Sequence, residues 1–91
     1  MPCKKLKITG VVQNVGYRAW AKRLSSYVGV KGYVRNMPDK SVEMVVCGAD
    51  NLVTVMINAA KKGPATAVVK NVEVEDVDYD VKNDEEFKIW I

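Results

Sequence analysis

The residues with most chemical promise run from Gly10 to Arg18, Gly-Val-Val-Gln-Asn-Val-Gly-Tyr-Arg, where an extended segment gives way to a helical one. The first amides of a helix have no intrahelical acceptor and lie at the positive end of its dipole, so such a junction can hold a phosphate. Gly10, Asn14 and Gly16 tolerate the positive φ angles that a concave run of amides requires. Arg18 adds a planar fork of donors matched to phosphate oxygens. By spacing alone, the same residues also fit an ordinary tight turn followed by a surface arginine. The chain has no histidine and two widely separated cysteines. These exclude the usual zinc spacings and the Cys-x-x-Cys redox motif, so neither imidazole nor thiol catalysis is expected.

The elements that must position this junction follow from periodicity. Alternation over Lys5 to Ile8, continued by Val11-Val12, gives a first strand. Tyr17, Trp20, Ala21, Leu24, Tyr27 and Val28 recur at helical spacing, and Gly29 suits the position after a helix end. Val30 to Arg35 and Ser41 to Cys47 read as strands joined by the turn-forming Asn36-Met37-Pro38-Asp39-Lys40, a hairpin. A second helix fits Asp50 to Lys62, with Leu52, Val53, Met56, Ile57 and Ala60 apolar and Gly63-Pro64 as its stop. Alternation returns from Val72 towards Tyr79, and a last strand sets Phe87, Ile89 and Ile91 on one face. The order β-α-β-β-α-β-β predicts a ferredoxin-like α+β fold, a split βαβ sandwich with an antiparallel sheet and both helices on one face.

Ninety-one residues, 48% of them hydrophobic, suffice for one domain with a single modest core. The net charge of +3 is unevenly spread: residues 1–40 carry nine Lys or Arg against Asp39 alone, a net +8, and residues 41–91 carry −5. Either the basic half steers an anion to one surface, or the two halves neutralise each other across the fold. The start lacks the apolar run of a secretory leader and no stretch is long enough to span a membrane, so a cytoplasmic protein without membrane contact is expected. A monomer is expected as well.

The Gly10–Arg18 stretch closely resembles the acylphosphatase signature Gly-x-Val-Gln-Gly-Val-x-Phe/Tyr-Arg, through Gly10, Val12, Gln13, Val15, Tyr17 and Arg18. Gly32-Tyr33-Val34-Arg35-Asn36, followed by a turn and Val42, is similar to the family's second signature, Gly-aromatic-x-x-Asn. The resemblance extends over nearly the whole chain. It implies hydrolysis of small acyl phosphates, with no cofactor and no metal. Arg18 would bind the phosphoryl oxygens, the amides from Gln13 through Asn14, Val15, Gly16 and Tyr17 to Arg18 would cradle them, and Asn36 would position the attacking water. Inorganic phosphate and sulfate would inhibit. Such chemistry needs no strong base, because an acyl phosphate already carries a good carboxylate leaving group.

Two positions depart from the family pattern, Asn14 and Lys40, each standing where glycine is usual. Asn14 could set its side chain over the anion site, and Lys40 requires either another turn or a strained backbone. Gln13 is compatible with loop support or with solvent exposure, while Tyr17 and Trp20 share the apolar helix face and belong to the core. Two other functions are compatible with the topology: an acylphosphatase-like interaction module of low activity, and an RNA-binding module. For the latter, Lys31-Gly32-Tyr33 matches the start of an RNA-recognition core, but Val34 and Arg35 break it, so nucleic acid is not the expected partner. In the proposed sheet, Cys3 and Cys47 fall on antiparallel neighbours at the edge opposite the Gly10–Arg18 loop, close enough for a disulfide, and equally compatible with two small buried thiols in a reducing cytosol.

Overall fold

The computed structural model describes residues 2–81 and 86–90. The elements are β1 (Cys3–Val11), α1 (Tyr17–Val28), β2 (Lys31–Asn36), β3 (Val42–Cys47), α2 (Asp50–Lys62), β4 (Val68–Val77) and β5 (Lys88–Ile89). They form one sheet in the order β4-β1-β3-β2-β5. Leu6, Ile8, Val34, Met44 and Val46 from the sheet pack with Tyr17 and Ala21 of α1 and Val53, Met56 and Ala60 of α2, all nearly or fully buried. The two helices therefore cover the same sheet face, as a ferredoxin-like α+β fold requires.

Four strands are antiparallel as expected from the hairpin and the crossovers. The fifth corrects the expectation of a wholly antiparallel sheet: β5 pairs parallel to β2, Val34 facing Ile89. The chain leaves β4 at one sheet edge and returns along the other, so β5 runs in the direction of β2. Along that return Val77, Tyr79 and Val81 pack on Cys3, Tyr33, Val45 and Cys47 on the face away from the helices. Ile91, expected on the face of Phe87 and Ile89, lies outside the described residues.

Strand β4 begins at Val68, earlier than alternation suggests, because its first residues pair with Val11 and Gly10 past a register shift at Thr9/Gly10. There Gly10 has φ 128°, and a Cβ would stand 2.1 Å from the Val68 carbonyl oxygen, a position no side chain can occupy. In α1 the buried stripe is Tyr17, Ala21 and Ser25, while Tyr27 is 89% exposed, contrary to its expected place on the apolar face. Residues 17, 21, 25 and 28 follow one another at spacings of three and four, and Tyr27 projects beside that line.

The two charge halves meet across the sheet. Lys4, Lys5 and Lys7 of β1 stand in register with Asp76, Glu75 and Glu73 of β4. Lys4 pairs with Asp76, Lys5 with Glu75 at 3.4 Å and Glu43 at 3.7 Å, and Lys7 with Asp39 at 3.2 Å. Lys4 and Lys5 are thus paired with carboxylates of the second half, while Lys7 is paired within the first. A hollow of about 460 Å³ on this open face is walled by these charges and has no contact with Arg18 or Asn36.

Candidate active site

Strand β1 delivers the chain to the start of α1 through a short loop whose turns are left-handed. Asn14 has φ 62° and Gly16, the residue before the helix, has φ 79°. The helix start carries no side-chain cap, and the Gly16 carbonyl accepts from Trp20 at 3.0 Å. The amides of the first turn are thereby left without an intrahelical acceptor. Beside them is a cavity of about 190 Å³ lined by Val12, Asn14, Gly16, Tyr17, Arg18, Ala19, Asn36 and Ile89.

Asn36 ends β2, on the other wall of the cavity. Its Oδ1 is buried and, among the described residues, is the one buried side-chain polar atom without a hydrogen-bond partner. A buried acceptor left unpaired costs roughly 1–3 kcal/mol, so a cavity residue that keeps one is held there at a cost to stability. The hairpin after it is fixed from several sides. Met37 N–H donates to the Ser41 carbonyl at 2.9 Å and Lys40 N–H to the Met37 carbonyl at 3.1 Å. Lys40 takes the strained alternative, with φ 75°. Asp39 accepts from the Ser41 amide and hydroxyl, and these bonds with Lys7 hold its carboxyl down at about 2.

The sequence candidates divide into two groups. Asn14, Gly16, Tyr17, Arg18 and Asn36 line the cavity. Gln13 and Val15 do not, and both tie the loop to its surroundings. The Gln13 carboxamide donates to the Met37 and Ser41 carbonyls, both at 2.9 Å, which resolves its role as support. The Val15 carbonyl accepts from Thr66 Oγ1 at 2.5 Å. Tyr17 turns its side chain away into the core: its hydroxyl donates to the Ala60 carbonyl at 2.8 Å, and burial pushes its phenol pKa up. The Ala60 carbonyl lies in the last turn of α2, where helical acceptors run out, so Tyr17 joins the start of one helix to the end of the other. Trp20 packs edge-on against Tyr17 at 5.2 Å.

Thr66, Ala19 and Ile89 carried no functional signal in the sequence. Alternation gave the face of Ile89 but not its neighbour, which depends on the parallel pairing of β5. Cys3 and Cys47 are register partners on β1 and β3, joined by a disulfide. They lie at the beginning of β1, about 25–30 Å along the strand from the loop at its other end.

Together, an arginine and an uncapped helix start with left-handed turns before it can bind a tetrahedral anion, and the cavity that holds them is also lined by Asn36. The acylphosphatase family model matches residues 4–89. An acylphosphatase of Caldivirga maquilingensis is 49% identical over 69 residues, which span 75% of this chain and 73% of that protein. One from Thermotoga maritima is 43% identical over 76 residues, 84% of each chain. Among solved structures, an acylphosphatase from Coxiella burnetii superposes with a TM-score of 0.90 at 25% identity, covering 98% of this chain and 92% of its own. With the match extending across both the helix-start loop and the Asn36 hairpin, the chain belongs to the acylphosphatase family.

Proposed function

We propose that this member of the family hydrolyses small acyl phosphates to a carboxylate and inorganic phosphate, using Arg18 and the helix-start amides for the phosphoryl group and Asn36 for the water. The observation that carries the reading is the placement of Arg18, the helix start and Asn36 on one cavity. Water positioned by the Asn36 side chain attacks phosphorus as the bond from phosphorus to the acyl oxygen breaks. The carboxylate leaves with the bonding electron pair, and the water's proton ends on phosphate or solvent. Asn36 accepts a hydrogen bond but takes up no proton at neutral pH, so its role is orientation. Charge on the phosphoryl oxygens grows towards the transition state, where the Arg18 fork and fixed amides act most strongly.

The site is built within one chain, in keeping with a monomer acting on small substrates, and the cytoplasm is the compartment this reading expects. Among the described residues no helix is long and apolar enough to cross a membrane. The exposed Asn14 side chain at the cavity supports a second reading, an interaction module with little turnover. Turnover of benzoyl phosphate, measured with and without a chelator, separates the two. The hydrolase reading expects turnover that the chelator leaves unaltered and that phosphate or sulfate inhibits competitively. No turnover, or a strict need for magnesium, would refute it.

A further inference from the structure

We propose that Ile89 selects the acyl part of the substrate, favouring acyl phosphates with an apolar acyl group, aromatic or branched, over those with a minimal or a charged one. This rests on the hydrolase reading and deepens it. The phosphoryl end of every acyl phosphate is the same, so discrimination has to come from cavity wall that the phosphoryl group does not use.

The cavity's polar donors gather at the helix start and at Asn36. Of its apolar lining, Val12 and Tyr17 are each 1% exposed and committed to the core. Ile89, 39% exposed, is the large apolar side chain left open on the cavity, with the small exposed Ala19 beside Arg18. Its position follows from the parallel pairing of β5 with β2. The Trp90 amide donates to the Val34 carbonyl at 2.9 Å, which fixes Ile89 beside Val34, two residues short of Asn36. Successive strand side chains alternate in direction, so Ile89 shares the helix side with Phe87. Phe87 is 1% exposed and lines another hollow with Ser26 and Gly29 at the end of α1, whereas Ile89 lines the cavity at the start of α1.

An acyl group leaving the phosphoryl cradle on this side meets a branched hydrocarbon. Contact with an apolar acyl group removes hydrocarbon surface from water on both partners, while a carboxylate there would lose hydration without gaining a partner. Benzoyl and acetyl phosphate release carboxylates of similar basicity, so the ratio of their kcat/KM values reports acyl contact rather than leaving-group chemistry.

The test is that ratio in the wild type and in Ile89→Ala and Ile89→Thr, the second keeping a β-branched residue in the strand should alanine impair folding. The wild type is expected to favour benzoyl phosphate, and the preference to fall by about threefold to tenfold in the variants, the size of a contact on an open wall. Inhibition by inorganic phosphate, which has no acyl group, should shift less than the ratio does. A ratio within about twofold of wild type in a folded variant that still turns over acetyl phosphate would overturn the proposal alone. So would a loss of phosphate inhibition larger than the change in ratio, which would place Ile89 in the cradle. Absence of turnover of both substrates by the wild type would overturn the hydrolase reading and this proposal with it.

Discussion

The Gln13 carboxamide donates to the Met37 carbonyl oxygen at 2.9 Å, so the loop that forms the helix-start cradle is fastened to the hairpin that carries Asn36. Its second bond, to Ser41, closes on the other strand of the same hairpin. Truncating Gln13 to alanine frees the two walls of the cavity from each other without touching Arg18. Gln13→Ala is expected to lower stability by about 1–2 kcal/mol and to depress kcat more than it weakens inhibition by phosphate. Denaturant melts and steady-state kinetics on one preparation check both. A kcat equal to wild type would show that Asn36 is held without this bridge.

Arg18 and Asn36 occupy the same cavity but should fail differently. Arg18→Ala removes the charge-assisted fork from an exposed helix start, so it should leave the fold intact and cost at least about a hundredfold in kcat/KM. Phosphate inhibition should vanish with it. Asn36→Ala should lower kcat by a similar factor while phosphate still inhibits, because water placement and anion binding are separate tasks. Near-normal turnover in a folded Arg18→Ala protein would contradict the mechanism.

Acid should act on the hairpin through Asp39. The Ser41 hydroxyl and amide, and then Lys7, stabilise the ionised carboxyl and lower its pKa from 3.8 to about 2. A group depressed on folding contributes stability that is present above its unfolded value and lost as pH falls through the folded one. In Asp39→Asn that contribution is missing at every pH. The difference in melting temperature between wild type and variant should therefore be largest at neutral pH and shrink as pH falls from about 4 towards about 2. A difference independent of pH over that window would assign the effect to shape instead of charge.

What the sequence revealed and what it withheld follow the range of the interactions. Tyr17, Ala21, Val53, Met56 and Ala60 lie at helical spacing, and their burial follows from local periodicity. The left-handed turns at Asn14 and Gly16 were legible from residue type. Gln13 was ambiguous because its partners, Met37 and Ser41, become neighbours only once β1 and the hairpin are assembled. The direction of β5 and the place of Ile89 depend on how the chain returns across the sheet, which no window of neighbouring residues encodes. Tyr27 was misplaced because a run of apolar residues at nearly helical spacing does not define the edge of the buried stripe.

Lys40 sets a limit on the hairpin's stability. With φ 75° it holds a conformation that costs an L-residue about 1–2 kcal/mol and glycine almost nothing. Glycine would lose more backbone freedom on folding, which offsets part of the gain. Lys40→Gly should therefore stabilise by about 0.5–1 kcal/mol, seen as a rise in Tm, with kcat close to wild type since Asn36 keeps its place. A lower Tm would mean that the lysine side chain contributes more than its backbone strain costs.

Cys3 and Cys47 link the first and third strands across a sequence separation of 44, at the end of the sheet remote from Arg18. Cross-linking confines the unfolded chain more than the folded one, and a loop of this length should contribute about 2–4 kcal/mol. The sulfurs are buried, Cys3 5% exposed and Cys47 inaccessible, under the return segment of Tyr79 and Val81. A reductant should reach them slowly unless that segment lifts or the protein opens. Reduction is thus expected to lower the denaturant midpoint while leaving turnover per folded molecule nearly constant, since β1 and β3 stay paired by their backbone bonds. Thiol titration of the denatured, unreduced protein should find no free thiol, and a non-reducing gel should show a monomer. Two thiols per chain would refute the bond in the purified protein, a dimer would refute the pairing, and a fall in turnover on reduction would show that the far end of the sheet controls the cavity.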